Sequence, residues 1–209
     1  MCFKSKGWYF HARNDQPEIR TKFIELIRKI EGFKSYIVIG RKRLDLFHKK
    51  HNKSESEFYF DMVYHLLKDR LNKEDVYYQI LLSTRAGNSG EKLKEAIEKA
   101  IEKAIERDNK KRKIPITIHY DCRTIPSDST PELSIIDYLM WALQRYILLK
   151  DSRFYNALVE KINLIIDLYD FENFGSRNSN YYHPKKNKFE LEKASEFKTD
   201  GYINKKSNL

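Results

Sequence analysis

The residues best suited to chemistry in this 209-residue chain lie in one segment, 131–145, which reads PELSIIDYLMWALQR. Placed on a helix, Ser134, Asp137, Trp141, Gln144 and Arg145 share the narrower side. Leu133, Ile136, Leu139, Met140, Leu143 and Ile147 form a wide apolar side that is expected to be buried. A carboxylate beside Trp141 and among Ile, Leu and Met is either partly buried or a ligand, because a buried charge is costly unless it is paired or binds a metal. The competing reading is an Asp137 that is solvated, or that pairs with Arg145 or another basic group.

Other chemistry is more weakly written. Ser83-Thr84-Arg85-Ala86-Gly87 follows a strand pattern and leads into a helix, so its backbone and Arg85 could hold an anion, or simply connect two elements. Asp121 is expected to end a strand, beside Cys122 and Arg123, either lining a ligand site or capping a turn. The six histidines show no HxxxH or HxH spacing, so zinc is not supported. No phosphate-binding glycine loop and no GxSxG elbow occurs. Cys2 and Cys122 cannot make a disulfide framework.

Charge is the strongest compositional signal. Lysine and arginine number 40 against 30 acids, for a net charge of +10. Residues 41–53 hold six basic residues and one acid, including Arg41, Lys42, Arg43, Lys49 and Lys50, and residues 107–113 hold five and one, including Lys110, Lys111, Arg112 and Lys113. Clustered positive charge is the electrostatic footprint of a polyanion binder, and a nucleic acid is the expected partner. The plainer alternative is a solvated loop and a solvated helix end. With 41% apolar, 13% aromatic and 33% charged residues, the chain is too apolar for a disordered protein and too charged for a membrane protein. Its start lacks the apolar core of a signal peptide, so a cytoplasmic protein is expected.

The elements that would position these groups follow from periodicity and punctuation. Strands are expected over 7–12, 35–40, 76–82 and 114–120. Helices are expected from Asp15, a candidate cap, to Gly32; over 54–71, where Ser54 and Glu57 have the capping-box form; from 87–90 to about 108; over 133–149; and from Asp151 and Ser152 onward. Residues 163–169 fit either a continued helix or a strand. Strands alternating with helices predict an α/β fold with a central mixed sheet. The expected organisation is one domain over 1–172 and a polar tail over 173–209.

PELSIIDYLMWALQR, followed by DSRFYNALVEKI, resembles the C-terminal half of a bacterial family called domain of unknown function 3800. FHARNDQPEIRTKFIELI, ILLSTRAG and YYHPKKN extend the resemblance from about Trp8 to Lys188. It implies an RNase H-like mixed sheet flanked by helices and suggests a nuclease dependent on Mg or Mn. The family carries an Asp-Glu pair on its first strand and Gln-x-x-Asp on a late helix. Here the late motif reads Ser134-Ile135-Ile136-Asp137, which makes Asp137 the implied catalytic residue and metal ligand. The first-strand pair has no counterpart, since no acid precedes Asp15. The chain is therefore expected to be a family member without its first strand, with little or no nuclease activity. It would depend on a separately encoded N-terminal fragment or on self-association. Glu57, Asp61 and Asp121 are further acids with no motif to assign them. Three functions compete: a nuclease or fragment of one, a non-catalytic nucleic-acid-binding module, and an interaction protein that docks through its Glu/Lys helix.

Overall fold

The computed structural model describes residues 9–41, 44–84, 90–126, 130–170, 173 and 180–197. It is an α/β protein, as the alternation of strands and helices predicts. The chain divides into two compact units, one of Met1–Tyr9 and Val38–Leu133, the other of Phe10–Ile37 and Ser134–Leu209. The described strands form two sheets, one of three strands and one of two.

The first unit holds helices α2 (Leu44–Lys49), α3 (Glu55–Leu67) and α4 (Gly90–Lys110) with strands β2 (Tyr77–Thr84) and β3 (His119–Pro126). Strands β2 and β3 pair in parallel from Tyr77 opposite His119 to Thr84 opposite Pro126, and α4 makes the crossover between them. The apolar stripe of α4 is buried as Ala96, Ile97, Ala100, Ile101 and Ala104. Its alanines let α3 approach closely. Ile97, Ile101, Leu71 and Cys122 form the core, with Val63, Leu67, Ile80 and Leu82 packed against it. Full burial of a side chain such as Ile101 is worth about 1.5–3 kcal/mol. Ser54 caps α3, its Oγ accepting the Glu57 N–H at 3.3 Å. Gly40 lies against α3 so tightly that a Cβ would strike the Met62 sulfur and the Phe58 ring.

The strand expected over 114–120 forms further along, over His119–Pro126. Pro115 has no N–H to give a ladder, and the Asn109 side chain takes both backbone groups of Ile116, at 2.9 and 3.1 Å. Asp121 consequently lies inside the strand, opposite Gln79, and pairs with Arg123.

The second unit holds α1 (Pro17–Lys29), α5 (Pro131–Leu149, from Ser134 onward), α6 (Arg153–Leu158) and strands β4 (Ile162–Leu168) and β5 (Tyr181–Tyr182). Strand β1 (Ser35–Gly40) begins in this unit, and the sheet order is β1-β4-β5, with β4 and β5 antiparallel. The stretch 163–169 is thus strand as far as Leu168, and Tyr169 turns out of it with φ of 69°. Ile162, Leu164, Ile165, Ile166 and Leu168 are all buried, as in a strand covered on both faces. Within the stretch expected as a polar, partly flexible tail, Asn180, Tyr182, Phe189, Ala194 and Ser195 are buried. Tyr182 and Phe189 are 1% exposed and meet edge to face, with ring centroids 5.0 Å apart.

The buried side of α5 is Ser134, Tyr138, Leu139, Ala142 and Leu143, while Ile136 and Met140 are exposed. The expected face is therefore rotated, because a helix apolar on most sides gives no sharp stripe to read. The N-cap of α1 is Gln16, with Pro17 in the first turn, and Asp15 is engaged elsewhere.

Candidate functional site

Segment 9–16, expected to begin as a strand, has turns and no strand among its described residues. Two of its backbone donors go to side chains of α5 instead, and others close the turn on itself. The Phe10 N–H donates to Ser134 Oγ at 3.1 Å and the Ala12 N–H donates to Asp137 Oδ2 at 2.9 Å. Asp15 closes the loop from the other side. Its Oδ2 accepts the His11 N–H at 3.0 Å and also the Tyr138 hydroxyl. Burial, reinforced by the Asp15 carboxylate, raises the Tyr138 phenol well above its ordinary range, so it stays a donor. Below, Phe10 stacks on Phe23 at 4.5 Å and Phe23 meets Tyr138 at 4.6 Å. Ser134 and Asp137, three apart on one helix face, thus act together as anchors for a length of backbone. The Asp137 side chain is 39% exposed, and His11 Nδ1 stands 3.7 Å from Oδ2.

Arg145 does not serve Asp137. It donates from Nε and a terminal nitrogen to Asp151 Oδ2, at 3.1 and 2.8 Å, while Arg153 holds the same carboxylate. Arg153, then Arg145, keep Asp151 well below the usual carboxylate range. Arg20 and Arg145 lie over the Trp141 ring at 4.8 and 5.2 Å, and Trp141 packs on Phe154 at 4.6 Å. Arg20 also donates to Ala12 O and Asp15 O, at 2.9 and 2.8 Å. Trp141 is therefore part of a cation–aromatic stack that braces the same segment.

A two-cation phosphodiesterase centre needs several carboxylates around ions roughly 4 Å apart. Asp137 has one oxygen committed to a backbone N–H and a histidine as its ionisable neighbour. Among the described residues no group of three His, Cys, Asp or Glu side chains is arranged to hold a metal ion. Among the described residues, Asp137 and His11 alone do not supply the set of carboxylates that a pair of Mg or Mn ions needs.

The basic clusters fall in the first unit. Lys42, Arg43 and Arg85 lie outside the described residues. Arg41 follows β1, Lys49 ends α2, and Lys50 donates to Asp61 Oδ2 at 2.7 Å. At the end of α4 most cations have partners. Lys110 pairs with Glu106, Lys111 with Asp69 and Asp108, and Arg107 with Asp69 at 3.2 Å. Arg112 donates to Asn72 O at 2.7 Å. Asp108, 7% exposed, accepts the Asp69 N–H at 2.9 Å and ties the end of α4 to the turn after α3.

A further cluster gathers around Asp61, an acid that no motif assigns. His51, 2% exposed, and His65 flank that carboxylate at 3.4 and 3.8 Å. Burial, then the Lys68 ammonium, lowers the His65 imidazole from 6.5 to about 4. Lys68 Nζ lies 2.9 Å from His65 Nδ1, a contact that needs the neutral ring. No helix of the described residues is long and apolar enough to cross a membrane.

A scan against protein-family models, a search of curated proteins and a search of solved structures each return no match to this chain.

Proposed function

We propose that this chain is a nucleic-acid-binding protein, RNase H-like and akin to the domain of unknown function 3800 family, in which Asp137 holds structure and does not cleave phosphodiesters. The observation that carries this reading is the use made of Asp137. Its Oδ2 accepts the Ala12 N–H at 2.9 Å, in register with Ser134 accepting from Phe10. A carboxylate so engaged anchors backbone, and the excess of ten positive charges supplies the attraction for a polyanion.

The test is to incubate the purified chain with Mn²⁺ and single-stranded or duplex DNA and RNA. Binding with a steep salt dependence and no cleavage is expected. Asp137→Ala should cost about 1 kcal/mol of stability, the usual worth of such a hydrogen bond, and leave affinity unchanged. Robust cleavage that disappears in Asp137→Asn would show that Asp137 is catalytic and would overturn the proposal.

A further inference from the structure

Lysines distant in sequence converge on one side of the second unit. A cavity of about 920 Å³ is lined by Lys34, Lys185, Lys186, Lys188 and His183, with Glu160 as its one acid. Val159, Ile162 and Pro184 give it apolar lining beside the cations. A second cavity of about 320 Å³ shares Glu160 and adds Arg28, Lys29 and Lys161, with Glu25 as the further acid. Across the two, seven basic side chains face two carboxylates.

The frame is fixed by the sheet. Ser35 Oγ donates to Lys161 O at 2.9 Å, which sets the starts of β1 and β4 side by side and places Lys34 at the rim. Because β5 runs antiparallel to β4, the chain leaving β5 turns at that same end. The turn 183–187 is closed by the Lys186 and Asn187 N–H groups on His183 O, at 3.1 and 2.9 Å, and His183 Nδ1 lies 3.3 Å from Asn163 O. Lys188 is steadied by Asn156 Oδ1 at 3.2 Å. Lys34, Lys185 and Lys186 form no ion pair among the described residues, and neither does Glu160. Like charges gathered in a concave, partly apolar surface focus the field outward, which suits an anionic ligand.

We propose that these adjoining cavities form the track for the phosphodiester backbone of a nucleic acid, with Lys34, Lys185 and Lys186 as phosphate contacts. The proposal rests on the nucleic-acid reading above and names the surface that performs it. A polymer fits better than a single phosphate, because the charge is spread over two cavities that share Glu160 in their walls and the apolar lining suits sugar and base faces.

The test is fluorescence anisotropy in EDTA with labelled oligo(dT) and oligo(U) about 20 nucleotides long, across a salt series. Lys34→Gln/Lys185→Gln/Lys186→Gln should lose about tenfold in affinity for both, with a salt slope shallower by about 2, near 0.7 for each phosphate contact removed. The triple arginine variant at these positions should retain binding, which separates charge loss from misfolding. Lys110→Gln/Lys111→Gln/Arg112→Gln/Lys113→Gln should bind like the wild type. Unchanged binding in the groove variant beside loss in the helix variant would overturn the track and leave the nucleic-acid reading standing. Displacement of the oligonucleotide by inorganic phosphate at equal phosphate concentration would overturn the polymer. No binding by the wild-type chain to either strand would remove the nucleic-acid reading itself.

Discussion

The end of α4 and the groove of the second unit are both rich in lysine and differ in what surrounds the charge. At the end of α4 the basic residues are consecutive, and Asp69, Glu106 and Asp108 stand among them as ion-pair partners. In the groove the cations come from α1, the start of β1, the turn before β4 and the turn after β5. Lys34, Lys185 and Lys186 have no carboxylate partner among the described residues. Charge counted along the chain therefore does not report which cations are already paired. A basic run inside a helix end recruits acids from its neighbours, whereas dispersed lysines brought together by a sheet remain available to a ligand.

The largest way to break this contrast is to dissolve the groove's support. Phe189 packs edge to face on Tyr182 and on Tyr155, at 5.0 and 6.3 Å, and the Tyr155 hydroxyl donates to its carbonyl. Phe189→Ala should cost about 3–5 kcal/mol in urea unfolding, as for other buried aromatics, and weaken oligonucleotide binding with it. A cost below about 1 kcal/mol would make residues 180–197 a loose tail and the groove no fixed surface.

Acid should act next, and on the other unit. His65 titrates near 6.5 when unfolded and at about 4 when folded, so its neutral form stabilises the fold above pH 6.5. That contribution is lost as the pH falls from 6.5 toward 4, because the unfolded chain then binds the extra proton. His65→Gln should flatten the decline in denaturation free energy between pH 7 and pH 5. Identical pH profiles for variant and wild type would contradict the assignment.

The smallest effect sharpens the comparison most. Asp69 neutralises Arg107 and Lys111 and has φ of 68°, a conformation asparagine also tolerates. Asp69→Asn should release Arg107, leaving Lys111 to Asp108, and raise oligonucleotide affinity by about threefold, with a salt slope steeper by about 1. Unchanged affinity would mean that Asp69 does not mask these charges.

Much of the frame was legible because local signals agreed. Ile97, Ala100, Ile101 and Ala104, which recur at helical spacing, are buried in α4, and Ser54 caps α3, although the Glu57 carboxylate takes the Asn52 amide and the Ser54 N–H goes to His51 O, so only half of the capping box forms. Strand β4 was ambiguous because it is apolar on both faces and has no period to read. The stretch 7–12 is aromatic enough to suggest a strand, but the Phe10 and Ala12 donors are taken by Ser134 and Asp137, more than 120 residues away. For the same reason Asp137 could be placed on its helix and not given its partner, a backbone N–H. The groove was invisible to a linear reading, since Lys34 and Lys185 meet only once β1, β4 and β5 are laid side by side.

The most direct measurement is a lysine footprint: acetylation of surface amines with and without saturating oligonucleotide, read residue by residue by mass spectrometry. Lys34, Lys185 and Lys186 should be shielded by the strand, while Lys110 and Lys113 react equally in both samples. Shielding confined to Lys110, Lys111 and Lys113, with Lys34, Lys185 and Lys186 fully reactive, would contradict the account.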